Sequence, residues 1–269
     1  MRDGKRRGRE VPGQHQVAPE AVPFHADGDD VGVLLCHGFT GSPWSMRPFA
    51  EELARAGRTV ALPRLPGHGT HWRELNETTW MDWYATVEQE FNVLRRSCRQ
   101  VFVVGLSMGG ALALRIAERY GDDVAGVVLV NPAVHSTDRR LLALPVLRRV
   151  VPSMGGIGND IKKVDVVEHG YARTPLRALV SMIALWHDVR SELHRVRQPL
   201  LLFRSATDHV VDPSSARIIA AGVSSDDVVQ VVLQHSYHVA TLDNDAPEIF
   251  RRTAEFLAQH RAGLDEQAG

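Results

Sequence analysis

Cysteine is scarce. Two thiols, Cys36 and Cys98, in 269 residues cannot build the disulfide framework on which small secreted folds depend. Cys36 lies inside an apolar run and Cys98 follows a cluster of arginines. A chain of this length buries enough core without a staple, so both are read as free thiols. Long apolar runs are missing too. No stretch reaches the roughly 18 uninterrupted apolar residues of a membrane span. The positively charged start, MRDGKRRGREVPGQHQ, is followed by no apolar segment of the kind that directs secretion, so the expected location is the cytoplasm. Charge is nearly balanced, with 31 Lys and Arg against 32 Asp and Glu. That leaves no general attraction to nucleic acid, and no nucleic-acid partner is expected. Neither G-x-x-x-x-G-K nor G-x-G-x-x-G follows the first strand candidate, so no nucleotide cofactor is expected. The chain contains no internal repeat.

Hydrophobic residues make up 44% and charged residues 23% of the chain, enough apolar material to cover both faces of a sheet. Residues 1–22 hold charge, Gly, Pro and Gln without a hydrophobic period and are expected to form a disordered tail, with a second short tail at 263–269. In the single domain expected over 23–262, short β-branched runs alternate with amphipathic segments, the mark of parallel strands joined by crossover helices. Strands are predicted at 31–36, 59–62, 101–105, 127–130, 200–204 and 228–233. Helices are predicted from Ser42 and Pro43 to Gly57, over 80–97 and 107–120, after Pro213, and over 246–260. The stretch 133–196 breaks the alternation with the apolar runs 141–151 and 176–186 and the loop GGIGND. It reads as a cap inserted on the side of the strand C-termini, in an α/β fold with a mostly parallel central sheet flanked by helices.

Residues 105–109 read Gly-Leu-Ser-Met-Gly, a G-x-S-x-G pentapeptide that arises readily by chance. Its setting makes it specific, because it follows the strand VFVVG and opens the helical run GGALALRIAERY. That passage is a nucleophile elbow, where the residues two before and two after Ser107 have to be tiny and the hydroxyl stands over a helix N-terminus. A Ser hydroxyl attacks only when a base takes its proton and a carboxylate holds the base. Given the chain order Ser, Asp, His of such folds, Asp208, after strand 200–204, and His238, after strand 228–233, are the candidates at strand C-termini. Asp212 and Asp243 are the other carboxylates in reach, and His209 and His235 the other imidazoles; Asp212, before Pro213, fits a helix cap better. The tetrahedral intermediate of acyl transfer needs two backbone N–H donors. Met108, next to the nucleophile, supplies one, and Phe39, in the loop His37-Gly38-Phe39-Thr40-Gly41, supplies the other. His68 and His71 suggest a metal, but small residues surround them and no third ligand lies near. They are read as a structural loop, and no metal is expected.

The segments VLLCHGFTGSPWSMRPFAEELARAG, ALPRLPGHGTHWREL, GLSMGGALAL, GIGNDI and SYHVATLDND together resemble the bacterial monoacylglycerol lipases and their carboxylesterase relatives of the α/β-hydrolase fold. The resemblance covers residues 30–260, and SYHVATLDND is far more specific than G-x-S-x-G. It implies Ser107, Asp208 and His238 as a triad and Phe39 and Met108 as oxyanion donors, the assignment already reached from the residues. It further implies a mobile apolar cap and a glycerol pocket in which Glu168 contacts the alcohol moiety and Ile157 lines the passage. On its local sequence alone, VVEHGY, Glu168 equally fits a solvated helix face. The implied function is hydrolysis of fatty-acid esters, above all monoacylglycerols, through an acyl-enzyme, by a monomer or dimer that needs no cofactor. A general short- to medium-chain carboxylesterase would use the same machinery, and a non-catalytic ligand-binding homologue would not need the triad. Leucines and valines beside Arg148 and Arg149 suit the cap to transient contact with a lipid surface, or else to packing on the domain.

Overall fold

A computed structural model describes residues 15–156 and 158–261. Its strands are Phe24–Ala26 (β1), Val31–Cys36 (β2), Thr59–Leu62 (β3), Gln100–Leu106 (β4), Gly126–Val130 (β5), Ser153–Gly155 (β6), Arg173–Pro175 (β7), Leu200–Ser205 (β8) and Val228–Leu233 (β9). The α-helices are Arg47–Arg55 (α1), Trp72–Leu75 (α2), Trp80–Ser97 (α3), Met108–Tyr120 (α4), Leu144–Val150 (α5), Leu176–Glu192 (α6), Ser214–Gly222 (α7) and Ala246–Gln259 (α8). Seven strands form one sheet in the order β1-β3-β2-β4-β5-β8-β9. Only the edge strand β1 runs antiparallel to its neighbour.

The six predicted apolar runs are the six parallel strands. Every residue of β2 and β5 is buried, as expected of strands covered on both faces. One face packs against α3, α4 and α6 through Trp83, Phe91, Leu112, Ile116 and Leu185. The other packs against α1 and α8 through Phe49, Leu53, Ile249, Phe256 and Leu257. The first predicted helix arrives in two pieces: Ser42 Oγ accepts the Trp44 N–H at 3.3 Å to start a 3-10 turn, Pro43–Met46, and α1 follows.

Between β5 and β8 the chain makes a 3-10 turn, Arg139–Ala143, then α5, the two-stranded ribbon β6–β7 and α6. The apolar run 176–186 becomes the first part of α6, whose Ala178, Met182, Leu185 and Val189 are buried in the core shared with α3 and α4. That half of the insertion is therefore part of the body. The tail expected over 1–22 is described from His15, and there it lies on the body. The His15 N–H donates to Glu74 Oε1 at 2.8 Å, the Ala18 N–H donates to the Gly69 carbonyl at 2.8 Å, and Ala21 is buried. Backbone hydrogen bonds hold this segment, which a search for hydrophobic periods does not detect. Residues 1–14 and the tail expected at 263–269 lie outside the described residues.

One ionisable group sits deep in this packing. Glu118 on α4 is buried; Arg115 Nη1 donates to its Oε2 at 3.1 Å, and Arg115 Nε lies 2.9 Å from Asp188 Oδ2 on α6. Glu118 Oε1 has no hydrogen-bond partner among the described residues. Burial pushes the Glu118 carboxyl up to about 8, and Arg115 pulls it only part of the way back. The folded state thus holds a proton that the unfolded chain releases in the ordinary carboxylate range. Stability should therefore fall as pH rises from that range through about 8. Glu118→Gln, neutral throughout, should flatten that decline, measured as urea unfolding free energy at about pH 5 and about pH 9. An unchanged decline would mean that the carboxylate is solvated or paired in the folded state.

Candidate active site

Ser107 joins β4 to α4 with φ 56° and ψ −120°, a conformation that a residue with a side chain adopts only under constraint. The constraint is visible on both sides. The Ser107 N–H donates to the Val130 carbonyl at 3.0 Å, and its carbonyl accepts from Gly110 at 2.9 Å and Ala133 at 3.1 Å. A Cβ at Gly105 would overlap the Gly109 carbonyl, and one at Gly109 would overlap the Cys36 carbonyl at the end of β2. Only glycine fits at either position, and the Ser107 side chain is thereby left standing at the sheet's C-terminal edge.

The loops after β8 and β9 end beside it. His238 Nε2 lies 3.0 Å from Ser107 Oγ, and His238 Nδ1 lies 2.8 Å from Asp208 Oδ2. Asp208 Oδ1 accepts the N–H groups of Val210 and Val211, both at 2.8 Å, so the carboxylate is held from two sides. Burial alone would raise the Asp208 pKa, but the bond to His238, its charge and the two N–H groups outweigh burial and lower it. For His238 burial pulls downward, and the Asp208 bond and charge, with Glu168 and Asp160 nearby, more than offset it, so the imidazole is raised. The alternatives are engaged elsewhere. Asp212 accepts from Ser214 at the start of α7 and from Thr137, and Asp243 accepts the N–H groups of Lys162, Lys163, Tyr237 and Asn244. His209 pairs with Asp160 at 2.7 Å, and the His235 N–H donates to Asp245 at 2.8 Å.

The loop after β2 runs against the nucleophile. A Cβ at Gly38 would stand 3.4 Å from Ser107 Cβ, so the segment that continues into Phe39 passes directly beside the nucleophile. The Phe39 ring packs on His68 and Trp83. His37, buried, donates from Nδ1 to the Gly38 carbonyl at 3.0 Å and accepts the Leu65 N–H on Nε2 at 3.2 Å. Burial lowers its pKa to about 4, so the imidazole is neutral. His68 is also buried and lowered by burial, and hydrogen-bonds the Pro66 carbonyl. His71 instead accepts the Arg73 N–H at the start of α2. The two histidines of that loop thus hold separate backbone turns.

Glu168 comes from the cap loop and is half-buried. Its Oε1 stands 3.0 Å from where a Cβ at Gly41 would lie, and burial raises its pKa while His238 pulls the other way. The loop is pinned: Trp44 Nε1 donates to Val167 O at 2.9 Å, the Tyr171 N–H to Thr40 O at 3.0 Å, and Tyr171 OH to Gly67 O at 2.8 Å. Glu168 lies near enough to His238 for the charge of each to act on the other. Ile157 lies outside the described residues. Two residues that sequence reasoning missed complete the surroundings. Asn131, at φ 43°, donates to the His238 carbonyl at 2.8 Å and to Ser205 Oγ at 2.9 Å. Asp160 accepts the His238 N–H at 3.1 Å. Neither carries a local signal, because both act across large sequence separations.

A constrained serine after a central parallel strand, followed in the chain by an aspartate and a histidine from the ends of the last two strands, defines a serine hydrolase of the α/β-hydrolase fold. The family model described as serine aminopeptidase S33 matches residues 30–245. The chain belongs to this family, and it is a carboxylic ester hydrolase. It is 44% identical over 254 residues to a thermostable monoacylglycerol lipase of Bacillus sp. (strain H-257), covering 92% of this chain and 98% of that one. It is 28% identical to a carboxylesterase of Bacillus subtilis, covering 87% and 95%. A solved structure from work on LipS and LipT, two metagenome-derived lipolytic enzymes, superimposes with a TM-score of 0.89 at 41% identity, over 91% of this chain and 100% of that one.

Proposed function

We propose that this enzyme hydrolyses fatty-acid esters, with monoacylglycerols as its substrates, through an acyl-enzyme on Ser107. What carries the reading is the continuous line from Ser107 Oγ through His238 to Asp208, at 3.0 and 2.8 Å, with the Glu168 carboxylate beside it. His238 takes the hydroxyl proton as Oγ bonds to the ester carbonyl carbon, then returns it to the departing glycerol oxygen. Asp208 fixes the ring with its proton on Nδ1. The N–H groups of Phe39 and Met108 receive the oxyanion. Water then repeats the sequence on the acyl-enzyme and releases the fatty acid. The likeness to a monoacylglycerol lipase over nearly the whole chain supports this substrate class.

Ser107→Ala should abolish covalent labelling by a fluorophosphonate, and Asp208→Asn should lower turnover on the order of 10⁴-fold while the fold survives. Retained labelling of the alanine variant, or full activity of the asparagine variant, would contradict the assignment.

Glu168 is the residue that would separate a monoacylglycerol lipase from a general esterase. A carboxylate facing the alcohol end accepts hydrogen bonds from the free glycerol hydroxyls, and such bonds to a charged group are worth about 1.5–3 kcal/mol. Glu168→Ala should therefore lower kcat/KM for a monoacylglycerol roughly ten- to a hundredfold, and leave the methyl ester of the same acid within a few fold. Equal losses on both substrates would assign Glu168 to cap folding instead.

Each copy of the chain holds the whole constellation, so a monomer suffices for catalysis and a dimer is compatible with it. No helix among the described residues is long and apolar enough to cross a membrane, which suits an enzyme that works in the cytoplasm and meets lipid transiently. The cap offers a surface for that contact: Leu142, Val146 and Val150 are 79%, 67% and 75% exposed beside Arg140, Arg148 and Arg149. Leu142→Ser with Val146→Ser should depress turnover on emulsified substrate more than on a soluble ester. Equal effects on the two would favour a packing role.

A further inference from the structure

One side chain of the cap loop meets both of the loops that carry Asp208 and His238. Asp160 Oδ2 accepts the backbone N–H of His209 and that of His238, each at 3.1 Å. Its Oδ1 lies 2.7 Å from His209 Nδ1, and its carbonyl accepts the Val239 N–H at 3.1 Å. His209 follows Asp208 directly in the chain. One carboxylate, its side chain 11% exposed, thus bridges the loop after β8 to the loop after β9 at the positions that set the Asp208–His238 hydrogen bond.

Local geometry holds Asp160 in place. Asn159, at φ 60°, turns the chain into the site, and its Oδ1 accepts the Glu168 N–H at 2.9 Å. Two and three residues beyond Asp160, the N–H groups of Lys162 and Lys163 donate to Asp243 at 2.7 and 2.9 Å, and Asp243 also accepts that of Tyr237 at 2.8 Å. The cap loop is therefore strapped to the His238 loop on both sides of the imidazole. The groups that face His238 are Ser107 from the elbow, Asp208 from the loop after β8, and Asp160 and Glu168 from the cap loop. His209 faces Asp160 and the Tyr237 ring.

We propose that Asp160 is a positioning residue, tying the cap loop to the Asp208–His238 pair and supporting with its charge the imidazolium formed when Ser107 loses its proton. The proposal rests on the triad reading above. When Oγ bonds to the carbonyl carbon, its proton passes to His238 Nε2, the positive charge appears on the ring and the negative charge on the former carbonyl oxygen. A carboxylate fixed before the reaction, bonded to the backbone of the residue that becomes positive, lowers the free energy of that state without rearranging. It also links cap and catalysis mechanically. A substrate that orders the cap loop orders the histidine with it.

Two substitutions at this position separate charge from shape. Asp160→Asn keeps an acceptor oxygen and removes the charge, whereas Asp160→Glu keeps the charge and displaces the acceptors. With active sites counted by fluorophosphonate labelling, kcat/KM for a soluble ester is followed against pH. Asp160 helps to raise the His238 pKa, so removing the charge lowers it, the base stays unprotonated further into acid, and the acid limb moves to lower pH. On the plateau Asp160→Asn should lose on the order of tenfold. Asp160→Glu should keep the limb at its wild-type position. An unmoved limb in Asp160→Asn, or equal losses in both variants that track a fall in Tm, would overturn the proposal and leave Asp160 a structural tie. Those results would leave labelling of Ser107 intact; only its loss in the wild-type chain would instead overturn the triad reading.

Discussion

Ser107 holds a backbone conformation that costs about 1–3 kcal/mol relative to an unstrained residue, and its surroundings keep it there. Its N–H is tied to β5 and its carbonyl to the turn of α4 and to Ala133, while β4, the strand that delivers it, lies between β2 and β5. Gly105 and Gly109 let β4, α4 and the end of β2 approach closely enough to leave the serine no other path. The strain is thus stored against the burial of three central strands, among the best-buried parts of the molecule. The hydroxyl, the Met108 N–H and the adjoining Gly38–Phe39 segment all inherit their positions from that turn.

Around this fixed point the charges are arranged asymmetrically. Three carboxylates, Asp208, Glu168 and Asp160, bear on the single imidazole that stands at Ser107 and raise its affinity for a proton. On the opposite side, by the loop after β2, burial keeps His37 and His68 neutral, and they serve as hydrogen-bonding and packing groups. Positive charge is therefore favoured where the base gains a proton, and the histidines by the loop after β2 carry none. This is the division of labour that acyl transfer requires. It draws on five separate segments: the elbow, the loop after β2, the ends of the last two strands and the cap loop.

Much of this was legible in the sequence, because the elbow has a local signal and the chain order then points to the remaining members. The six parallel strands announced themselves as apolar runs, most plainly β2, β4 and β5, whose burial on both faces leaves no room for polar alternation. The strands of three residues, β1, β6 and β7, are too short to show any period, and β1 has His25 at its centre. The segment from His15 to Ala21 is held by backbone hydrogen bonds, which composition does not register. The apolar run 176–186 was visible as apolar, but its packing against α4 was not, because periodicity gives a face and not its partner. Asp160 and Asn131 were invisible for a related reason. They act on His238 across 78 and 107 positions, and nothing near them in the chain records it. Glu168 was reachable only through a likeness to known proteins, its own neighbours being those of a solvated loop.

The central claim is that Ser107 attacks an ester whose alcohol end lies at Glu168 and whose carbonyl oxygen lies between Phe39 and Met108. A crystal structure of the enzyme inactivated by a phosphonate that carries a fatty chain and a glycerol ester tests this most directly. The account predicts a bond from Ser107 Oγ to phosphorus, the phosphoryl oxygen within hydrogen-bonding distance of the Phe39 and Met108 N–H groups, and a glycerol hydroxyl on Glu168. An adduct on any other residue, or a glycerol end turned away from Glu168 with the chain in its place, would contradict it.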